Sequence, residues 1–197
     1  MAQPDRFDAD YYHRFYGDPA TRVVSQGHVR KLAAFTVSYL RFLGMPLRNA
    51  LDLGCGVGHW RTALKALTPR TSYQGVEYSA YLCERYGWAR GSVVDYNPGI
   101  DFDLVICQGV MQYLPDRDAA AAIANLGQLC RGALYLEALT QRDWDENCDR
   151  SVTDGDVHLR SGAWYRKHLA KSFTALGGGV FVAKGANVAL FELEGPG

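Results

Sequence analysis

The feature that most restricts the fold is a glycine-rich run at residues 50–60, with the sequence ALDLGCGVGHW. An apolar, strand-like segment contains one acid, Asp52, and the run then places three glycines at alternate positions: Gly54, Gly56 and Gly58. Glycines permit a tight turn and leave no side chain between the main chain and a bound molecule. A helix that starts directly afterwards points unpaired N–H groups at that molecule. The run therefore predicts a strand–loop–helix unit that holds a nucleotide-like ligand.

Strand-like and helix-like segments alternate on both sides of this run. Apolar patterns and turn residues predict strands at 49–53, 72–78, 91–95, 103–108 and 133–138, with helices at 59–67, 80–86 and 115–130 between them. This alternation predicts an α/β fold, a Rossmann-like, doubly wound, mostly parallel sheet with helices on both faces. After a helix at 161–174, two β-rich runs at 178–184 and 187–194 predict a C-terminal antiparallel hairpin strand.

The net charge and composition of the chain argue against several classes of binding partner and of cellular location. The 197 residues include 21 lysines and arginines and 21 aspartates and glutamates, so the formal net charge is zero. A neutral chain argues against non-specific binding to nucleic acid or to an anionic membrane surface. No apolar stretch is long enough to span a bilayer, and the acidic start of the chain lacks the apolar core of an export signal. The five cysteines include no C-x-x-C pair, which favours free thiols in a reducing cytoplasm and no metal site.

Four parts of the chain together resemble a class I S-adenosylmethionine-dependent methyltransferase of the small-molecule type. Residues 52–58 are similar to the family's acidic-x-G-x-G-x-G loop, and residues 102–116 resemble its fourth-strand signature. Glu77 matches the acid at the end of the second strand that binds the ribose, and Asp95 matches the acid that recognises the adenine. The similarity covers residues 45–140 well. It implies S-adenosyl-L-methionine as the cofactor and a small molecule as the methyl acceptor, and it leaves the oligomeric state open.

The resemblance divides one domain, residues 1–197, into three parts. Residues 1–44 would form a helical lid or cap, residues 45–140 the cofactor-binding core, and residues 141–197 a substrate loop, a helix and the terminal hairpin. The aromatic residues between positions 6 and 16 recur at helical spacing and suit either a hydrophobic cap or a lid over the sulfonium.

The resemblance also implies cofactor-binding residues, which are Asp52, Gly54, Gly56, Gly58, Glu77, Asp95, Cys107 and Gln108. If the aromatic segment forms a lid, Tyr16 joins them. At the end of a parallel strand a carboxylate such as Glu77 can accept hydrogen bonds from both ribose hydroxyls. Cys107 and Gln108 would meet the methionine end of the cofactor through backbone groups. Three of these residues also have a purely structural interpretation. Asp52 would cap the glycine turn, Asp95 would be a turn residue, and Cys107 would be a small apolar residue of the strand.

Methyl transfer from a sulfonium is an in-line displacement, in which the protein aligns the reacting atoms and excludes water. A general base is needed only if the acceptor keeps a proton. The first candidate base is His158 in the substrate loop, because histidine titrates near neutral pH. The alternative interpretation, a surface histidine with no catalytic role, fits the sequence equally well. The second is Glu137 at the end of the fifth strand, which would face the pocket or pair with Arg131 or Arg142.

Other functions share some of these features. A nicotinamide-dependent oxidoreductase would use the same glycine loop and second-strand acid, but no Tyr-x-x-x-Lys pair is present. A methyltransferase acting on exocyclic amines of nucleic acid would carry an acidic-or-Asn-Pro-Pro-aromatic motif, which is absent after the fourth strand. A domain that binds the cofactor without catalysis stays open.

Overall fold

The computed structural model describes residues 6–18 and 21–192, and its centre is a seven-stranded sheet. The strands are β1 (Asn49–Leu53), β2 (Ser72–Glu77), β3 (Ala89–Arg90), β4 (Phe102–Gln108), β5 (Cys130–Glu137), β6 (Phe173–Gly177) and β7 (Val180–Ala183). Their order across the sheet is β3-β2-β1-β4-β5-β7-β6. Strand β7 runs antiparallel to β5 and β6, whereas the other neighbours are parallel. The predicted mostly parallel α/β sheet with an antiparallel hairpin is confirmed.

Helices lie on both faces of this sheet. They are α1 (Ala9–Tyr12), continued by a π-helical turn (His13–Gly17), α2 (Gln26–Phe42), α3 (His59–Leu67), α4 (Ala80–Tyr86), α5 (Asp116–Leu129), α6 (Gln141–Glu146) and α7 (Gly162–Leu169). Side chains alternate between the faces of a strand. In β4, Val105 therefore joins the core under α5 and α7, whereas Leu104 and Ile106 join the core under α2 and α3. The two cores confirm the doubly wound arrangement.

The third strand is shorter and earlier than the sequence predicts. The pattern favours a strand at 91–95, but the strand is Ala89–Arg90 and a turn follows it. The ring of Tyr96 lies over Gly91, where an added Cβ would be 2.6 Å from Tyr96 Cδ2. The side-chain amide of Asn125 also donates to the carbonyls of Val93 and Tyr96, at 3.0 Å each. These contacts hold the segment against α5 as a loop.

The C-terminal hairpin exists, but its predicted position is wrong. Helix α7 ends at Leu169 instead of continuing to residue 174, and the hairpin consists of β6 and β7. The turn between them uses glycines at positive φ, including Gly178 (+60°) and Gly179 (+79°). Of the predicted strand at 187–194, residues 187–192 are not in a strand, and residues 193 and 194 lie outside the described residues. The substrate loop predicted at the start of residues 141–197 contains α6.

Within residues 6–18 and 21–192, no helix combines the length and the apolar character needed to cross a bilayer. The same residues contain no group of three or more histidine, cysteine or acidic side chains placed to hold a metal ion.

Candidate functional site

The glycine loop between β1 and α3 has the conformation that its sequence predicts. Gly54 and Gly58 have φ values of +79° and +80°, which side chains rarely adopt. An added Cβ at Gly54 would clash with the side chain of Val110, and one at Gly58 would lie 2.9 Å from the ring of Trp88. Gly58 is also the N-cap of α3, so the first N–H groups of that helix follow the loop directly. The loop thus brings its main chain, together with Cys55 and Val57, to the space above the sheet.

Trp88 supports this loop, a role that the sequence does not reveal. Its indole Nε1 donates a hydrogen bond to the carbonyl of Gly56 at 2.9 Å. The guanidinium of Arg61 lies 4.7 Å from the centre of its ring. An added Cβ at Gly75 in β2 would approach Trp88 Cε3 to 2.8 Å, so the ring is packed closely against the sheet. A tryptophan after α4 carries no motif, and only the fold brings it to the loop.

Glu77 at the end of β2 connects the glycine loop to α4. Its side chain is buried, with 5% of the residue exposed. Oε2 accepts a hydrogen bond from the N–H of Gly56 at 2.8 Å, and Oε1 accepts from the N–H groups of Tyr78 (2.9 Å) and Ser79 (3.1 Å). Three backbone donors satisfy part of the acceptor capacity of the carboxylate and fix its orientation. The acid therefore organises the loop as well as lining the site.

Asp52 in β1 is more buried, with 2% exposed. The hydroxyl of Tyr73 donates a hydrogen bond to Asp52 Oδ2 at 2.6 Å. Burial raises the pKa of Asp52 to about 7, the negative charge of Glu77 adds to the rise, and the bond from Tyr73 opposes it. Asp52 thus titrates close to neutral pH.

Two cavities lie beyond the carboxyl ends of the strands, where open α/β sheets bind ligands. The β2–β3 cavity, of about 390 Å³, is lined by Glu77 and Asp95 among others. The β4–β5 cavity, of about 400 Å³, is lined by Asp52 and Glu137 among others. Both share one set of lining residues: Tyr11, Tyr16, Gly54, Gly56, Gln108, Gly109 and Tyr113. The glycine loop therefore stands at the junction of two adjoining spaces.

The N-terminal aromatic segment covers this junction. Tyr11 and Tyr16 line both cavities, and Tyr12 lines the β2–β3 cavity. Arg6 fastens the segment to the loop after α6, with contacts of 2.8 Å to Asp154 and 3.0 Å to Asp156. The segment occupies the position of a lid.

A chain of hydrogen bonds crosses the floor of the β4–β5 cavity. Trp60 Nε1 donates to Gln108 Oε1 at 2.8 Å, and Gln108 Nε2 in turn lies 3.3 Å from Glu137 Oε2. The hydroxyl of Tyr135 donates to the same carboxylate oxygen at 2.9 Å. Gln108 and Glu137 thus have defined orientations at the ends of β4 and β5.

Most of the residues expected to bind the cofactor line the cavities. These are Asp52, Gly54, Gly56, Glu77, Asp95, Gln108 and Tyr16. Gly58 lies behind the loop at the start of α3, against Trp88. Cys107 is fully buried in the core under α5 and lines neither cavity, and burial raises the pKa of its thiol. The position of the Cys107 side chain agrees with the interpretation of this residue as a small apolar residue of the strand.

The two candidate bases differ in whether they line a cavity. His158 is exposed and lines neither cavity, and its backbone N–H donates to the carbonyl of Gln112 at 2.7 Å. Glu137 faces the β4–β5 cavity. Neither arginine expected as its alternative partner reaches it: Arg131 binds Asp103 at 2.8 Å, and Arg142 binds Glu146 at 2.7 Å.

Comparison with known proteins agrees with this geometry. The profile of the family described as "Methyltransferase domain" matches residues 51–132. A curated relative, trans-aconitate 2-methyltransferase of Azoarcus sp. (strain BH72), is 28% identical over 149 residues, which are 64% of this chain and 58% of the relative. The chain thus spans less than two thirds of the length of that relative.

Solved structures share the fold. The PH0226 protein from Pyrococcus horikoshii OT3 has a TM-score of 0.63 at 14% identity, covering 89% of this chain and 97% of that one. Magnesium protoporphyrin IX methyltransferase (ChlM) from Synechocystis PCC 6803, solved with bound SAM, has a TM-score of 0.56 at 21% identity, covering 88% and 89%. Residues 51–132 thus match a methyltransferase domain, and the glycine loop, the second-strand acid and the strand order described above agree with that match.

Proposed function

We propose that the protein transfers a methyl group from S-adenosylmethionine to a small-molecule acceptor by in-line displacement. The observation that carries the proposal is the meeting of two cavities at Gly54 and Gly56, beside the acids at the ends of β1 and β2. The β2–β3 cavity accommodates the adenosine, and the β4–β5 cavity accommodates the methionine end and the acceptor, so the methyl group would stand at their junction.

The residues of the β2–β3 cavity fit the cofactor. Glu77 offers acceptor oxygens to the ribose hydroxyls, and Asp95 lines the same cavity on the side expected for the adenine. The glycine loop leaves room for a ligand to approach the backbone at Gly56, because an added Cβ there would meet no protein atom within 4 Å. Asp52 and Gln108 line the side expected for the methionine end. The bound cofactor supplies a methyl group activated by the positive charge on sulfur.

The chain's own residues then align the partners and exclude water. The lid tyrosines Tyr11 and Tyr16 face both cavities and cover the junction. Gln108, oriented by Trp60, borders the point where the acceptor meets the methyl group. Glu137 is the residue we propose as proton acceptor, and His158 is not retained for that role because it lies outside both cavities.

Two other functions predict different results. A nicotinamide-dependent oxidoreductase would bind NAD(P)H, and the match to a methyltransferase domain argues against it. A domain that binds the cofactor without catalysis would bind S-adenosylhomocysteine and give no turnover with any acceptor.

The test combines binding with turnover. Calorimetry should show binding of S-adenosylmethionine and S-adenosylhomocysteine, and incubation with methyl-labelled cofactor and a small-molecule library should label an acceptor. No binding of either compound at millimolar concentration overturns the proposal. Binding of both without transfer to any acceptor would favour the non-catalytic function.

A further inference from the structure

The β4–β5 cavity has an unusual charge lining. No lysine or arginine of the described residues lines this cavity. Four acids line it: Asp52, Glu137, Asp143 and Asp154. Among the described lining residues, the one basic side chain is that of His59. Burial and the positive charge of Arg22 lower its pKa, which favours the neutral imidazole. At pH 7 Asp52, with a pKa of about 7, is only partly ionised and Asp154 is paired with Arg6, so Glu137 and Asp143 supply most of the negative charge next to the methyl-transfer junction.

Among the described residues, one of the four acids has a cationic partner, and two others accept hydrogen bonds from neutral hydroxyl groups. Asp154 forms an ion pair with Arg6, and Asp143 caps α6 through Thr140, whose hydroxyl donates at 2.6 Å. Asp52 accepts from Tyr73. Glu137 has only neutral donors, Tyr135 and Gln108, among the described residues. Glu137 is also exposed, so its carboxylate remains open to a bound molecule that carries a positive charge.

A second, independent observation concerns Gln112, which lines the same cavity and is 8% exposed. Its Nε2 donates to the carbonyl of Gly109 at 3.0 Å, which sets the orientation of the amide. Its Oε1 is buried and has no hydrogen-bond partner in the described part of the chain. A buried acceptor without a donor costs free energy, and a ligand N–H would satisfy it.

Aromatic rings complete the lining. Phe15, Trp60 and the tyrosines Tyr11, Tyr16 and Tyr113 all border the cavity. Aromatic faces attract a cation in a desolvated site. Carboxylate, amide oxygen and aromatic faces all favour a positively charged hydrogen-bond donor over an anion.

We propose that the methyl acceptor is a small amine, bound in the β4–β5 cavity as an ammonium by Glu137 and Gln112 and methylated on nitrogen. This inference rests on the proposed function. Glu137 accepts one proton from the ammonium, which leaves a neutral amine with a free lone pair. That lone pair forms the new N–C bond while the C–S bond breaks and its electrons stay on sulfur. The products are an N-methylammonium and the neutral thioether.

The experiment compares matched probes on the complex with S-adenosylhomocysteine. One set is phenethylamine, phenethyl alcohol and phenylacetate; the other is glucosamine, glucose and glucuronate; trans-aconitate is added as a polyanion. Ligand-observed NMR titration should show the amine of at least one set binding about tenfold or more tightly than its alcohol and carboxylate partners. Amines that bind no better than their partners, or not at all, overturn the inference, and so does preferred binding of a carboxylate or of trans-aconitate.

A variant of Glu137 tests whether the preference for amines arises in the β4–β5 cavity. Glu137→Gln should reduce amine affinity about tenfold and leave the affinity for S-adenosylhomocysteine within about twofold. Glu146→Gln is the matched control, because Glu146 pairs with Arg142 on the exposed side of α6. Equal amine affinity in wild type and Glu137→Gln would contradict the assignment. If S-adenosylhomocysteine does not bind the wild type, the proposed function fails and the inference with it; if it binds without amine preference, only the inference fails.

Discussion

The phenolic oxygens of Tyr11 and Tyr113 lie 2.8 Å apart and share a hydrogen bond between groups separated by 102 residues in sequence. Tyr11 belongs to the N-terminal lid and Tyr113 to the short turn after β4. Phe7 packs edge-on against both rings, at centroid distances of 5.0 and 5.3 Å. Burial raises the pKa of both hydroxyls, so the pair is neutral at physiological pH. The bond joins the N-terminal segment to the end of β4 beside both cavities.

Removing this bond should loosen the lid. Tyr113→Phe keeps the ring packing and deletes one hydroxyl, at a cost of about 1 kcal/mol to the closed state. We expect S-adenosylhomocysteine to dissociate about fivefold faster and methyl transfer to slow, measured by stopped-flow fluorescence and label transfer. Tyr39→Phe on α2 is the control, because Tyr39 lines neither cavity. Unchanged dissociation in Tyr113→Phe would mean that the lid does not depend on this bond.

Glu77 should contribute to cofactor binding beyond its structural role. Glu77→Gln retains one acceptor oxygen for the backbone donors but loses the charge, and we expect affinity for S-adenosylhomocysteine to fall by about 2 kcal/mol. Calorimetry measures the affinity, and thermal unfolding reports the loss of the bonds to Gly56 and Ser79. Glu84→Gln, an exposed acid on α4, should change neither quantity. An affinity equal to that of the wild type would remove Glu77 from the ribose site.

Gly75 is predicted to tolerate no side chain. A Cβ there would lie 2.8 Å from Trp88 Cε3 and 3.0 Å from Cys55 Sγ, so Trp88 would have to shift away from the glycine loop. Gly75→Ala should lower the free energy of unfolding by about 1–3 kcal/mol, measured by urea denaturation. Gly27→Ala in α2 is the matched control: its nearest neighbour, Ser25 Oγ, is 3.9 Å away, and helical alanine is favoured. The prediction is wrong if the two variants unfold at the same urea concentration.

Asp52 should make stability depend on pH in the direction opposite to that of a salt-bridged acid. Its pKa is raised from 3.8 to about 7 in the folded chain, so between these values the native state binds more protons than the unfolded state. The free energy of unfolding therefore falls as pH rises from about 4 to 7, and the penalty is complete above pH 7. Asp52→Asn should flatten this part of the profile and stabilise the apo protein at pH 8 by a few kcal/mol at most, about 1.4 per unit of pKa. Urea denaturation at several pH values measures it, and parallel profiles for both proteins would contradict the assignment.

Patterns that depend on neighbouring residues were readable from the sequence. The alternation of strands and helices, the glycine loop after β1 and the acid at the end of β2 each follow from local spacing, because a glycine turn or a buried strand needs its residue types within a few positions. These patterns predicted the parallel sheet and placed Asp52, Gly54, Gly56, Glu77 and Gln108 at the cavities. The hairpin is recognisable as a class of structure, but its turn is misplaced, because the pattern puts Gly178 and Gly179 at the start of a strand.

Contacts between distant parts of the chain decided the rest. Trp88 under the loop belongs to no motif. Gln112 and Tyr113 lie in the fourth-strand signature, but the unpartnered oxygen of Gln112 and the bond from Tyr113 to Tyr11 depend on the fold. The sequence placed His158 ahead of Glu137 as a candidate base, whereas in the folded chain Glu137 lines the β4–β5 cavity and His158 lines neither cavity. The physical reason is that local sequence sets backbone preferences, whereas the position of a side chain relative to a cavity depends on sheet register and on packing across the whole fold.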